Sequence, residues 1–224
     1  MTGYKNSDGQ MVTEQEFDRT KGGTIHTYDD ITGRLKKTEN IIFMSKPGTT
    51  RTWCEYYLDP SESETDIIRQ YTGETENHSL TVYLNQQTAH GFEMWDARDY
   101  NKEGVLRFRS RIVYDSRGRM VSKINFDVQT EEVMRHSAYC SSKYYYGTDI
   151  DTENGLLDLE LRFTYEFDER ISRFVTYIKD VNETTGEIHT MNVEDFIELF
   201  GGDFWNAHPY YHSLYPILPE SPVV

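Results

Sequence analysis

The sequence predicts an all-β protein, an antiparallel meander of long strands that is strongly curved or closed into a barrel and carries a short C-terminal helix. Three observations lead to this prediction. Apolar and polar residues alternate over long runs, glycine-containing turns separate the runs, and tyrosine contributes 17 of the 224 residues. Alternation gives a strand one buried face, and tyrosine favours strands. Aromatic residues make up 14% of the chain and can build a core although only 37% of residues are hydrophobic.

Alternation is clearest in the second half of the chain. In residues 157–167, LDLELRFTYEF, apolar or aromatic side chains occupy every odd position and polar ones every even position. Residues 105–114 and 120–128 alternate in the same way, and a Ser-Arg-Gly turn at 116–118 separates them. Glycine allows the positive φ that tight hairpins require. We therefore predict a meander of about five strands between roughly residues 105 and 191.

Earlier segments supply the remaining strands of the prediction. The candidates are Thr24–Tyr28, Leu35–Phe43, Thr52–Leu58, Ser79–Leu84 and Gly91–Asp96. Together they give about ten strands in a single domain that covers residues 1–224. Several of the predicted strands reach about ten residues, which is longer than the usual five or six. Long consecutive strands favour a curved sheet or a barrel, because closure removes exposed edges.

The two ends of the chain differ from this pattern. Residues 1–23 are polar and weakly patterned, and they predict a loose hairpin or N-terminal arm. Residues 192–224 predict a helix followed by an aromatic tail. Asn192 is the candidate N-cap of the helix, acidic residues occupy its first turn, and two glycines at 201–202 end it. We expect the tail, which is rich in proline and aromatic residues, to pack over the sheet.

The formal net charge of −15 favours some classes of binding partner and disfavours others. Nucleic acids and anionic membranes attract basic surfaces, so the sequence predicts neither as a partner. A basic protein is a partner that this charge favours. Because no apolar run is long enough to span a bilayer and the start lacks the pattern of a signal peptide, we expect a cytoplasmic protein.

The sequence predicts no cofactor and no metal site. Cys54 and Cys140 form neither a disulfide framework nor a zinc-binding spacing. Residues 149–160 place acids at relative positions one, three, five and twelve, as a calcium-binding loop does, but Asn154 occupies the position where that loop needs glycine. We interpret this stretch as a solvated acidic turn.

Candidate catalytic residues depend on which strand faces lie inside a barrel. In residues 133–146 the alternation places His136 and Cys140 on the same face. An interior His136 would be a titratable group that acts as a general base or contacts a ligand, whereas a hydrogen-bonded core histidine is the other interpretation. Tyr165 would join them as an interior polar group. His136, Tyr165 and Cys140 are therefore catalytic candidates only for a barrel that encloses a ligand.

Two further groups are candidates for binding. Arg107, Arg109 and Arg111 share one face of a predicted strand, where they either bind a phosphate or carboxylate or pair with acids on neighbouring strands. In the tail, a group of aromatic and histidine side chains either anchors a partner, closes a pocket or packs against the sheet. This group comprises Trp205, Tyr210, Tyr211 and His212.

A Tyr-Asp…Gly-Arg phrase occurs twice in full. Its positions are Tyr28, Asp29, Gly33, Arg34 and Leu35, then Tyr114, Asp115, Gly118, Arg119 and Met120, with a divergent copy at Tyr165, Glu166, Glu169, Arg170 and Ile171. The phrases resemble the YD repeats of Rhs-type shell proteins and, more loosely, the MORN-like repeats of antitoxin-type proteins. They cover about a fifth of the chain at intervals of 86 and 51 residues. The resemblance implies a β-scaffold or a toxin-system context and no particular reaction. The alternative is that hairpins in general favour such turn sequences.

Two functional hypotheses follow. In the first, the protein is a non-enzymatic binding protein that neutralises a basic partner, as an immunity protein or antitoxin does. In the second, it is a lipocalin-like barrel that binds or transforms a small apolar ligand, with His136 and Tyr165 as interior polar groups. Fold alone cannot separate them, because barrels support both. The lack of a recognised catalytic signature and the acidic charge favour the binding protein.

Overall fold

The computed structural model describes residues 1–20, 22–43, 50–71, 79–146, 160–181 and 188–220. The strands are β1 (Thr2–Asn6), β2 (Met11–Val12), β3 (Gly22–Tyr28), β4 (Leu35–Phe43), β5 (Thr50–Tyr57), β6 (Ser79–Ala89), β7 (Phe92–Tyr100), β8 (Leu106–Tyr114), β9 (Met120–Phe126), β10 (Ser141–Tyr146), β11 (Glu160–Asp168), β12 (Arg173–Val181) and β13 (Ile188–Met191). The helices are α1 (Glu14–Phe17), α2 (Glu64–Tyr71), α3 (Val193–Phe200) and α4 (Gly202–Ala207), with single 3₁₀ turns at Ser137–Tyr139 and Pro209–Tyr211.

These strands form one mostly antiparallel sheet. Its hydrogen-bonded order is β13-β12-β11-β10-β9-β8-β7-β6-β5-β4-β3-β1-β2. The predicted all-β, antiparallel architecture and the short C-terminal helix are therefore confirmed. The predicted closed barrel is not confirmed, because the order of the described strands begins at β13 and ends at β2 without closing. One pair, β5 with β6, is parallel, and α2 lies in the connection between them, as a parallel pair requires.

The chain divides into two compact units. The first comprises residues 1–85 and 96–109, and the second comprises residues 86–95 and 110–224. Each unit has its own cluster of buried side chains. The single domain over residues 1–224 stays a prediction. Whether the two units unfold together in one cooperative transition is the measurement that tests it.

The core of the first unit lies between its central strands and α2. Its buried members are Cys54, Tyr56, Ile67, Leu80, Val82, Leu84 and Tyr100. Polar contacts hold α2 in place, since Glu64 accepts hydrogen bonds from the Tyr100 hydroxyl and the Arg98 guanidinium, both at 2.6 Å. Because α2 packs its apolar side on this cluster, sheet and helix bury one another's apolar faces.

The N-terminal residues 1–23, predicted as a loose hairpin or arm, contain β1, β2 and α1. β1 pairs with both β2 and β3. Thr13 and Glu16 form a capping box at the start of α1, which places Phe17 in a buried position. Gly23 is required beside it, because a Cβ atom there would lie 2.1 Å from the Lys5 carbonyl oxygen.

The second unit is a meander from β8 to β13 with the C-terminal segment packed on one face. In the β10–β11–β12 register Lys143 lies opposite Phe163, which lies opposite Ile178. Residues of the C-terminal segment complete the same buried cluster. They are Phe196, Tyr210, Tyr211, Leu214 and Ile217. The predicted packing of the aromatic tail over the sheet is therefore what the structure shows.

Several hairpin turns share one construction. At Asp115 the side chain accepts hydrogen bonds from the backbone amides of Arg117 and Arg119, and Gly118 has a φ of +78°. The same Asx-turn arrangement recurs at Asn6, Asn101, Asp29, Asp127 and Asp168. Both full Tyr-Asp…Gly-Arg phrases are turns of this kind. The resemblance to YD repeats stays a prediction.

Candidate functional site

The most unusual residue of the second unit is Lys143 on β10. Its side chain has no solvent exposure, although lysine is rarely buried completely. The strand register places it between Ser122 of β9 and Phe163 of β11. A charged side chain in this position requires polar partners, because burial removes its hydration.

The partners of Lys143 are three backbone carbonyl groups. Its Nζ donates hydrogen bonds to the carbonyl oxygens of Tyr210 (2.7 Å), Ser213 (2.8 Å) and Pro216 (2.9 Å). An ammonium group has three N–H donors, so all of them are used. The nitrogen also lies 3.8 Å from the centre of the Tyr210 ring, within cation–π range. These acceptors belong to residues 209–217, which we call the C-terminal strap.

The electrostatics of Lys143 rest on dipoles rather than on a counter-ion. In the parts of the chain that the structure describes, no carboxylate forms an ion pair with Lys143. Burial lowers its pKa to about 7. The three carbonyl oxygens favour the charged form, because each accepts a hydrogen bond and only the charged amine has three N–H groups to donate.

Two neighbouring strands add donors to the same strap. The Tyr165 hydroxyl on β11 donates to the Tyr211 carbonyl oxygen at 2.9 Å, and the Thr176 hydroxyl on β12 donates to the His212 carbonyl oxygen at 3.2 Å. Burial, together with the nearby tyrosines, raises the pKa of Tyr165 well above its usual value. The Tyr165 hydroxyl therefore stays protonated and remains a donor.

The predicted partner anchors of the tail are used mainly for packing. The ring of Tyr211 stacks on Phe163 with centroids 4.5 Å apart, and the Tyr210 hydroxyl donates to the Ile217 carbonyl oxygen at 2.7 Å. Trp205 and His212 stack on each other at 4.1 Å and are half-buried. Of the alternatives raised by the sequence for these four residues, packing against the sheet is the one that the contacts support.

The predicted catalytic residues do not form a site. His136 is exposed, and its Nδ1 accepts a hydrogen bond from the Ala138 amide at 3.1 Å. It has neither the interior position that the barrel hypothesis requires nor the core position of the other interpretation, because a 3₁₀ turn precedes β10 and breaks the alternation. Tyr165 is 2% exposed and is bonded to the strap instead. Cys140 is half-buried, and burial raises the pKa of its thiol, which does not favour a thiolate nucleophile.

The arginines of β8 differ in their surroundings. Arg107 is exposed, whereas Arg109 and Arg111 are half-buried. The Arg111 guanidinium lies 5.4 Å from the centre of the Phe126 ring. Arg107 and Arg109 belong to the first unit and Arg111 to the second. The common anion site of the three arginines stays a prediction.

An acidic surface follows from the C-terminal part of the sequence. Residues 180–224 contain eight acidic residues and no lysine or arginine. On α3, Glu194, Asp195 and Glu198 are exposed on the side opposite the buried Phe196. Leu199 follows Asp195 by one helical turn at the edge of this acidic side and is 71% exposed. We call Glu194, Asp195, Glu198 and Leu199 the α3 face.

Local sequence explains why α3 forms here. The Asn192 side chain accepts a hydrogen bond from the Asp195 amide at 2.8 Å, and acidic residues in the first turn favour the positive end of the helix dipole. Gly201, with a φ of +84°, follows the last turn. These are the signals from which the sequence predicted the helix at 192–200.

Sequence reasoning missed both Lys143 and the α3 face. The stretch SSKYYY at 141–146 carries no local sign that its lysine is buried, because the acceptors lie 67 to 73 residues further along the chain. The run without basic residues after Lys179 was visible and would have indicated the acidic surface.

The chain matches no protein-family model, and comparison with curated proteins and with solved structures gives no significant match. Among the described residues, no helix is long and apolar enough to cross a membrane. Within the same residues, no group of three or more histidine, cysteine, aspartate or glutamate side chains is arranged to hold a metal ion. The calcium-like stretch at 149–159 lies outside the described residues.

Proposed function

We propose that the protein is a non-enzymatic binding protein whose α3 face docks a basic protein partner. The observation that carries this proposal is the exposed Leu199 on a helix that also exposes three carboxylates. An exposed apolar side chain supplies contact area, and like charges around it select a partner of the opposite sign. No basic residue follows Lys179, so no lysine or arginine of residues 180–224 offsets that field.

An immunity- or antitoxin-type role is the more specific form of this proposal. A protein of this type neutralises a partner by covering it, which requires a rigid surface and no chemistry. The aromatic cluster beneath α3 supplies rigidity, since Phe196 is fully buried and packs against Phe163 and Trp205. Complementary charge accelerates encounter with a basic partner.

The alternative function is a barrel that binds or transforms a small apolar ligand, and the surroundings of its two named polar groups give it less support. His136 is exposed, and the Tyr165 hydroxyl is bonded to the strap backbone. Neither side chain is placed to orient a ligand inside the sheet.

The test begins with affinity capture. The immobilised chain is exposed to lysate of its native host, and a bound basic protein is released by raising the salt concentration. After that protein is purified, its dissociation constant is measured against the wild type and against the triple variant Glu194→Gln, Asp195→Asn and Glu198→Gln. We expect at least about tenfold weaker binding for the triple variant, since each close charge pair contributes about 1.5 kcal/mol or more. Leu199→Ser should also weaken binding.

The matched control removes the same three charges elsewhere. Asp8→Asn, Asp18→Asn and Glu93→Gln change exposed acids that are not on the α3 face. This control should bind with the wild-type affinity. Equal weakening in both triple variants would show that only net charge matters, and unchanged binding in the α3 variant would contradict the proposal.

A further inference from the structure

The polar side chains of the sheet in the second unit contact the strap through its backbone carbonyl groups. At least five carbonyl groups accept hydrogen bonds from side chains of three adjacent strands, namely those of Tyr210, Tyr211, His212, Ser213 and Pro216. The donors are Lys143, Tyr165 and Thr176. Such contacts recognise the path of a chain rather than its side chains, as peptide-binding sites do.

Lys143 is a poor choice for ordinary core packing. Burying an ammonium without a carboxylate has a large desolvation cost, and an apolar side chain of similar volume is commonly neutral or better for stability. A buried lysine stabilises the fold only where several carbonyl groups accept hydrogen bonds from its amino group. Its presence therefore fits a site that fixes a turning peptide backbone in one register.

Side chains of the strap fill apolar positions around this polar centre. Tyr211 stacks on Phe163, and Leu214 and Ile217 are buried in the same cluster. Tyr215, in contrast, is 57% exposed. Backbone recognition is thus combined with apolar positions that select some side chains and ignore others, which gives a peptide site its specificity.

The chain that leads into the strap contains a two-glycine joint. Gly201 lies between α3 and α4 with a φ of +84°, and Gly202 is the first residue of α4. A Cβ atom at Gly201 would meet no other atom within 4 Å. The side-chain position of Gly201 therefore faces open space, and a cut between the two glycines removes no side chain.

We propose that the sheet face around Lys143 is a peptide-binding site, that the strap is its resident ligand in cis, and that the same segment of a second copy of the chain can take its place. The ligand class is an irregular peptide with two adjacent aromatic residues, whose carbonyl groups surround an ammonium. This inference does not depend on the basic partner proposed for the α3 face.

The experiment uses the full chain with a protease site inserted between Gly201 and Gly202. After cleavage both pieces remain present, and a fluorescein-labelled synthetic peptide of residues 202–220 is added. We expect the labelled peptide to replace the resident piece, which appears as saturable fluorescence anisotropy. In the cleaved Lys143→Met protein the affinity for the peptide should fall at least about tenfold, since three backbone carbonyls lose their donor.

Lys123→Met is the matched control, because Lys123 lies opposite Ser142 and therefore faces the other side of the sheet. It should bind the peptide as the wild type does. Tyr165→Phe removes only the donor to Tyr211 and should weaken binding about threefold, which keeps the test decisive if Lys143→Met does not fold.

Three results would overturn the proposal. The first is loss of the strand signal in circular dichroism on cleavage, which would make the strap an inseparable part of the core. The second is no binding of the labelled peptide. The third is equal weakening of peptide binding by Lys123→Met and Lys143→Met. A peptide with Tyr215→Ala should bind unchanged, because that side chain is exposed.

Discussion

At the residue scale, Lys143 shows how burial and hydrogen bonding oppose each other in one side chain. Burial disfavours the charged amine, whereas the carbonyl oxygens of Tyr210, Ser213 and Pro216 favour it. The pKa of Lys143, lowered to about 7, means that burial is the larger effect. The residue therefore makes the stability of the protein depend on pH in a defined range.

The first prediction concerns that range. Unfolded lysine titrates near pH 10.4. Between about pH 7 and that value the unfolded chain binds more protons at Lys143 than the folded chain does, so this residue makes the free energy of unfolding rise with pH. Relative to Lys143→Met, the wild type should gain up to about 1.4 kcal/mol per pH unit between pH 7 and 9.5. Urea unfolding at both pH values measures the gain, and a constant difference between the two proteins would show that the carbonyl groups fully compensate burial.

At the element scale, the sequence predicted what local pattern controls. The hairpin at 116–118 and the helix at 192–200 were correct because their signals, a Gly at positive φ and an Asn N-cap, lie within the elements. The alternation in residues 134–140 does not continue as a strand, because β10 begins only at Ser141. In this stretch the Asn125 side chain donates to the carbonyl oxygens of Tyr139 and Cys140. The parallel pair of β5 and β6 depends on α2, which local alternation does not reveal.

A second prediction follows from the turn between β11 and β12. Ser172 has a φ of +49°, a conformation that disfavours residues with a Cβ atom and suits glycine. Ser172→Gly should therefore raise the free energy of unfolding by roughly 0.5–1 kcal/mol. Ser116→Gly is the control, because Ser116 lies in another turn without positive φ and should lose stability slightly through added freedom of the unfolded chain. Chemical denaturation compares the two, and destabilisation by Ser172→Gly would show that its side chain makes a stabilising contact.

At the scale of the whole molecule, the division into two units raises the question of cooperativity. The boundaries between the units fall inside β6, β7 and β8, since residues 85–86, 95–96 and 109–110 are the points of division. Each of these strands therefore contributes residues to both units. When one unit unfolds, the part of each shared strand that belongs to the other unit loses its direct continuation. This favours a single cooperative unfolding transition, as expected for the predicted single domain.

The last prediction tests this cooperativity from one core. Leu80 is buried in the first unit, and Leu80→Ala should cost about 2–5 kcal/mol through lost apolar contact and the cavity that remains. If the chain unfolds as one domain, Leu80→Ala should lower the free energy of opening, measured by amide hydrogen exchange, equally in the two units. The most protected residues of β11, in the second unit, should show the same decrease as those of β5. Ile178→Ala, in the core of the second unit, provides the reciprocal measurement on β5. Unchanged protection of β11 in Leu80→Ala would mean that the two units unfold independently and that the chain contains two domains. If each variant lowers protection equally in β5 and β11, the chain is a single domain.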